Sequence, residues 1–305
     1  MPAFRIGTRG SPLALIQANM VRDALVATHG WEADAVEIVI VRTTGDRVQD
    51  RALAEIGGKA LWTKELDRAL LAGEIDCAVH SMKDVETIRP AAIAIAAILE
   101  RETTCDRIIG AESVAALREG AVVGTSSPRR SAQLRKLRPD LTIVLFRGNV
   151  DTRLAKLAAG EADATLLAAA GLVRLGRHDV GTTIPPEELL PAPAQGAVGV
   201  EARADDERTR SLLAPLNHRD TDICVRTERA FLAELGADCQ SPVAALATIA
   251  GPSLLLRAEL LAIDGSAHVA GNAAAAPGDP DIAPSLARDL LAEAPESIRS
   301  LFAGA

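Results

Sequence analysis

Two stretches of the chain set arginines beside hydroxyls and a glycine: Gly124-Thr125-Ser126-Ser127-Pro128-Arg129-Arg130, and Arg147-Gly148-Asn149-Val150-Asp151-Thr152-Arg153. Apolar, β-branched residues precede each, Val122-Val123 in the first case and Thr142 to Phe146 in the second, and polar, helix-compatible residues follow. Each is expected at the end of a strand and the start of a helix. There, backbone N–H groups attract anions, and guanidinium forks grip carboxylate or phosphate bidentately. One such loop would be an ordinary connection with solvated arginines. Two of the same design on one sheet edge predict a site for a ligand carrying several negative charges.

His80-Ser81-Met82-Lys83-Asp84 ends the apolar run Cys77-Ala78-Val79, and so falls at the carboxyl edge of a strand, where open α/β sheets place their ligands. Neighbours on a strand point to opposite faces, which excludes a direct His80–Ser81 pair. Other chemistries lack their residues. Gly57-Gly58-Lys59-Ala60 has no earlier glycine of a phosphate loop and no Ser/Thr for Mg²⁺. No G-x-G-x-x-G follows a strand, and Gly124 to Pro128 lacks the last glycine of a nucleophile elbow. Cys77, Cys105, Cys224 and Cys239 form no C-x-x-C pair, and the five histidines are scattered, so no metal site and no disulfide scaffold are expected. Cys77 and Cys224 read as packing residues, and Cys105 stays open. Cys239 lies in the loop Leu235 to Pro242; an accessible loop thiol can be a nucleophile, although the residues alone favour an inert cysteine.

The elements that must position these groups are legible as patterns. Over the first two-thirds, short apolar strands alternate with helical stretches, as in parallel α/β architecture. Phe4 to Gly7 reads as a strand, and Ser11 as the cap of a helix with Pro12 in its first turn, running to about Thr28. Ala35 to Arg42 is a second strand, Leu61 to Leu71 a helix, and Thr43 to Ala60 a long glycine-bearing loop or lid. A second block starts near Arg101, with a strand at Ala164 to Leu167. The prolines from Pro185 to Pro193 mark a connection back to the first block. From about Asp220 the elements are grouped: a helix Thr221 to Leu235, strands Val243 to Ala250 and Leu254 to Ile263, a loop Ala267 to Pro280, and a helix near Asp281 to Ala294. That grouping predicts a small α+β domain.

At 305 residues the chain suffices for two or three domains. Its net charge of −8, four Phe, two Trp and no Tyr argue against a nucleic-acid surface, so positive charge must be gathered locally. The longest apolar run, Pro90 to Leu99, is far short of the ~20 residues of a membrane span. The start reads directly into a strand without a signal peptide, which makes the cytoplasm the expected location.

In order along the chain, these motifs resemble the porphobilinogen deaminases, also called hydroxymethylbilane synthases. The matching stretches are Thr8 to Leu15 (TRGSPLAL), Gly57-Gly58-Lys59, His80 to Asp84, and Gly124 to Ser127 with Arg129-Arg130. They continue with Arg147 to Val150, Thr152-Arg153-Leu154, Ala170-Gly171-Leu172 with Arg174, Gln195 to Gly199, and Cys239. The resemblance implies two clamshell-like α/β domains with a cleft between them (1–99 with 198–217, and 100–197) and a small C-terminal α+β domain (218–305). It further implies a monomer that condenses four porphobilinogens head to tail, with loss of ammonia, on a dipyrromethane cofactor joined to Cys239 by a thioether. Asp84 matches the catalytic carboxylate: when ammonia leaves, the cation is shared with the pyrrole N–H, where a carboxylate stabilises it. Lys83, Ser127, Arg129 and Arg130 match cofactor-binding positions. Arg9, Ser11, Ser81, Thr125, Arg147, Arg153, Arg174 and Gly196 match substrate-binding ones. Each pyrrole bears two carboxylates, which agrees with the polyanion site read from the arginines. Three positions depart from the family's habit: Pro128, Ala237-Asp238 before the cysteine, and Trp62. The rival reading is a clamshell that binds a polycarboxylate without converting it, and such a binder would need neither Asp84 nor Cys239.

Overall fold

The computed structural model describes residues 4–42 and 63–302. The expected loop Thr43 to Ala60, with Gly57-Gly58-Lys59, and Trp62 lie outside the described residues. The described chain packs as two compact units, one of residues 4–42, 63–102 and 196–222 and the other of residues 103–195 and 223–302.

In the first unit, strand β1 (Phe4–Thr8) runs into helix α1 (Pro12–His29). Ser11 caps α1 by accepting from the Ala14 N–H at 3.4 Å, Pro12 occupies the first turn, and Gly30 ends the helix at φ 65°. Strand β2 (Val36–Ile40), helix α2 (Lys64–Leu71), β3 (Cys77–Ser81) and β4 (Ile93–Ile98) follow. The alternation predicts parallel pairing, and β1, β2 and β3 are parallel. The sheet is nevertheless mixed, because β10 (Val198–Arg203) inserts antiparallel between β3 and β4 to give the order β2-β1-β3-β10-β4. Its tight fit needs Gly199: a Cβ there would stand 2.0 Å from the Met82 sulfur. Helix α6 (Glu207–Leu213) completes this unit, packing with α1 on a core that includes Phe4, Ile6, Val21, Leu25 and Val200.

The second unit repeats the layout. Strands β5 (Asp106–Ile109), β6 (Val122–Gly124), β7 (Thr142–Val144), β8 (Ala164–Ala168) and β9 (Thr182–Ile184) form the order β7-β6-β8-β5-β9, again with one strand, β5, antiparallel to both neighbours. Helices α3 (Pro128–Leu137), α4 (Val150–Ala158) and α5 (Ala169–Arg174) follow β6, β7 and β8.

Helix α7 (Arg219–Glu234) leads to a separate antiparallel sheet of β11 (Val243–Ala250), β12 (Ser253–Leu261) and β13 (His268–Ala275), covered by α8 (Ile282–Glu293) and the short α9 (Glu296–Arg299). Strand β13 corrects the expected loop at Ala267 to Pro280. Its alanines and glycine carry little strand propensity, but it pairs with β12 along its whole length. Its small residues let α8 approach closely, and a Cβ on Gly271 would meet Leu290 at 3.1 Å. Packing overrides composition here.

Candidate functional site

Four of the expected site residues meet in the first unit. Arg9, Ser11, Ser81 and Asp84 line one solvent-open recess, together with Leu13, Gln17 and Val85. The recess lies at the carboxyl ends of β1 and β3 and at the N-terminus of α1, which favours an anion. Asp84 ends a 3-10 turn, Met82–Asp84, held at Met82, whose N–H donates to the Ala197 carbonyl at 3.1 Å and whose side chain is 1% exposed. Lys83 shares that turn. Ser81 is fixed by Gln17, whose Nε2 donates to its Oγ at 2.8 Å. Gln17 was not anticipated as a site residue. Its signal is a single amide within the buried face Ala14, Ala18, Val21, Leu25 of an amphipathic helix.

His80, which also borders the recess, stands 3.2 Å from the fully buried Glu201 of β10. Arg89 bonds both oxygens of Glu201, at 2.8 and 2.9 Å, and also reaches Glu86 and Asp67, each at 2.5 Å. Burial works against ionisation of Glu201, but His80 and Arg89 outweigh it and draw the carboxyl from 4.5 down to about 2. Glu86 in turn accepts from Thr63 Oγ1 at the start of α2. The segment bearing Asp84 is therefore braced on both sides of the turn. Cys77, at the foot of β3, is fully buried, and that burial pushes its thiol well up, as expected of a packing cysteine.

The second unit gathers the arginine loops. Both begin at strand ends and open helices as expected, and each helix has a side-chain cap: Ser127 accepts from the Arg130 N–H and Asn149 from the Thr152 N–H. Pro128 occupies the first turn of α3, a position that suits it. The loops lie side by side because Thr125 N–H donates to the Val144 carbonyl at 2.9 Å, and because a Cβ on Gly124 would collide with the Phe146 ring at 2.4 Å. Arg153 spans them, donating to the Gly148 carbonyl at 3.0 Å and to Ser126 Oγ at 3.3 Å. Thr125 and Arg147 are buried, and Arg174 ends α5.

Arg129 and Arg130 do not stand in solvent as open forks. They are 3% and 5% exposed and converge on Asp106, the first residue of β5. Cations buried this deeply must be paired, and nothing in the composition of β5 announces that Asp106 is the partner. Burial opposes its ionisation, but the two guanidinium groups hold its carboxyl far below the ordinary range. Two cations against one anion leave the cluster with one net positive charge.

Cys239 is exposed, in no disulfide, and lies in the turn after α7. Asp238 builds that turn: its Oδ1 accepts from the Gln240 N–H at 2.8 Å, and its own N–H donates to Ser241 Oγ at 3.1 Å. Gly196 is buried with φ 87°, and its carbonyl accepts from Glu102 N–H at 3.4 Å.

Residues 4–211 match the family model described as porphobilinogen deaminase, dipyrromethane cofactor binding domain, and residues 222–293 match the porphobilinogen deaminase C-terminal domain. The porphobilinogen deaminase of Sphingopyxis alaskensis is 59% identical over 306 residues, covering 98% of this chain and 96% of the relative. That of Paracoccus denitrificans is 56% identical over 270 residues, covering 88% and 86%. Among solved structures, the periplasmic VFT2 domain of Bordetella pertussis BvgS overlaps with a TM-score of 0.41 at 16% identity, covering 70% of this chain and 86% of that one. The chain belongs to the porphobilinogen deaminase family. It is thus a transferase, a hydroxymethylbilane synthase that polymerises porphobilinogen for tetrapyrrole biosynthesis and uses a dipyrromethane cofactor.

Proposed function

We propose that Asp84 is the catalytic carboxylate and Cys239 the attachment point of the cofactor. The observation that carries the first assignment is the recess in which Asp84 meets Arg9, Ser11 and Ser81. Arg9, Ser11 and the N-terminus of α1 take a carboxylate arm of porphobilinogen, Ser81 adds a hydrogen bond, and Asp84 lies against the ring nitrogen. As ammonia departs, positive charge spreads onto that nitrogen and Asp84 stabilises it; the same carboxylate then accepts or returns the proton. In the second unit Arg147, Arg153 and Arg174 hold carboxylates of the growing chain, aided by Thr125; in the first unit the Gly196 backbone is a further candidate for a substrate contact.

The residues present fit a covalently held dipyrromethane. Cys239 offers an accessible thiol. In the second unit the Asp106 cluster offers a net positive charge through Arg129 and Arg130, and Ser127 adds a donor; in the first unit Lys83 is a further candidate for a cofactor carboxylate. When bound, the cofactor supplies the pyrrole end from which the chain is extended. A division into domains 1–99 with 198–217, 100–197 and 218–305 is supported by the three separate sheets. The acidic composition supports the lack of a nucleic-acid partner, a cytoplasmic monomer is carried over from the family resemblance, and among the described residues no helix is long and apolar enough to cross a membrane.

Cys239→Ser tests the attachment point, because a hydroxyl is a far weaker nucleophile than a thiol. The intact mass of the purified wild type is expected to exceed that of the bare chain by the dipyrromethane adduct, and that of the variant to equal the bare chain. An adduct retained in the variant, or a bare active wild type, would overturn the assignment.

A further inference from the structure

Asp106 accepts four hydrogen bonds, which fills the acceptor capacity of a carboxylate. Oδ2 receives Arg129 Nη2 at 2.8 Å and Arg130 Nε at 3.2 Å; Oδ1 receives Arg130 Nη2 at 2.6 Å and Gln195 Nε2 at 2.8 Å. Gln195 is fully buried, and its Nε2 also donates to the Thr104 carbonyl at 2.7 Å, so one amide ties the carboxylate to the backbone beside it. The residue before it, Ala194, is the sole non-glycine among the described residues with positive φ, at 60°. That conformation costs a side chain on the order of 1 kcal/mol or more and persists only where its surroundings impose it. They do so through the buried Glu228 of α7, which accepts from the Ala194 N–H at 2.6 Å and from the Ala247 N–H of β11 at 2.8 Å. The strained backbone aims Gln195 at Asp106.

We propose that Gln195 is a positioning residue for the arginine pair. Held by Glu228 through Ala194, it locks the Asp106 carboxylate, and Asp106 in turn sets the planes of Arg129 and Arg130 toward the carboxylates of the cofactor. The inference rests on the cofactor-binding role proposed for those arginines. Two further contacts define the charge around the cluster. Arg129 donates to Gln133 Oε1 at 3.0 Å, and Gln133 reaches Glu259 of β12 at 3.0 Å. Glu259 is in turn neutralised by Lys136. The single positive excess therefore belongs to the two arginines and Asp106.

Two variants separate orientation from charge. Gln195→Met keeps volume and charge and removes both donors; Gln195→Glu keeps shape and sets a second buried carboxyl against Asp106, where repulsion favours its protonated form, so that the donor and the positive excess are lost only as pH rises and it ionises. Apoprotein is mixed with the preformed linear tetrapyrrole product, and adduct formation is followed by intact mass at two salt concentrations, with circular dichroism confirming the fold. Loss of aligned, charge-assisted hydrogen bonds is expected to slow loading by Gln195→Met about tenfold while leaving its salt dependence as in the wild type. At a pH high enough to ionise it, Gln195→Glu should be slower still and show a weaker salt dependence than the wild type, because the local attraction to an anion falls with the charge of the cluster. A role confined to stability would lower the melting temperature and leave the salt dependence of both variants unchanged. Loading of both variants at the wild-type rate overturns the proposal. Arg130→Gln keeps the two levels distinct: if it also loads normally, the role of the arginine pair itself fails. If it loads slowly while both Gln195 variants load normally, only the positioning inference fails.

Discussion

Asp84 and Asp106 are both carboxylates at strand termini, and the structure treats them in opposite ways. Asp84 ends a short turn and lines a solvent-open recess with Arg9 and two serines. Asp106 is 0% exposed and saturated by two arginines and an amide. A carboxylate locked by four donors can fix the direction of its partners but has no capacity left to answer charge that appears during a reaction. One in an open recess can. On the reading proposed above, conversion falls to the first unit and holding to the second, and each rests on a buried ion-pair cluster.

The largest effect is expected beneath the recess. Glu201→Gln leaves Arg89 and His80 without their buried anion, and breaking such a pair costs about 3–5 kcal/mol. The pH dependence has a definite sign. Because the folded carboxyl sits at about 2 rather than its ordinary 4.5, Glu201 contributes stability above pH 4.5 and loses it as pH falls toward 2. Denaturant unfolding should show a wide gap between wild type and variant at neutral pH that narrows across that interval. A gap independent of pH would contradict the bracing role.

Asp84→Asn comes next. An amide cannot offset the developing cation, and the turnover of porphobilinogen should fall by about 10²-fold or more. Turnover within a few-fold of wild type would return Asp84 to the status of a recess residue. Arg147→Lys keeps the charge and loses the fork, for an expected effect of about tenfold on rate. Oligopyrrole chains stalled at defined lengths should be visible by mass. Uniform weakening of the first substrate alone would remove the idea of successive carboxylate sites. The smallest effect is expected at Asp238. Its side chain serves the turn through Gln240 N–H, so Asp238→Asn should load cofactor at the wild-type rate. Faster loading would show that its charge opposes the thiolate.

Much of this was readable in the chain. The Ser11 cap, the strand Cys77 to Ser81, both arginine loops and strand Val243 to Ala250 follow from local rules of capping and alternation. The antiparallel insertion of β10 does not, since strand direction is decided by where the chain returns and not by the residues of the strand. Strand β13 was hidden because its alanines gain their order from β12 and α8. The Asp106 cluster was the least legible part. Asp106 and Gln195 are distant along the chain from Arg129-Arg130 and share no motif with them, so the arginines were visible while the anion that organises them was not. Glu201 left a trace, as a single carboxylate inside the apolar run Ala197 to Ala202.

The separation of holding from conversion is tested most directly by comparing Asp84→Asn and Cys239→Ser, purified identically from cells that make porphobilinogen, by intact mass. The account predicts that Asp84→Asn carries the full dipyrromethane adduct although its turnover is largely lost, and that Cys239→Ser shows the bare chain mass. A bare Asp84→Asn chain would mean that the recess is needed to hold the cofactor, and the division of labour between the two carboxylates would be wrong.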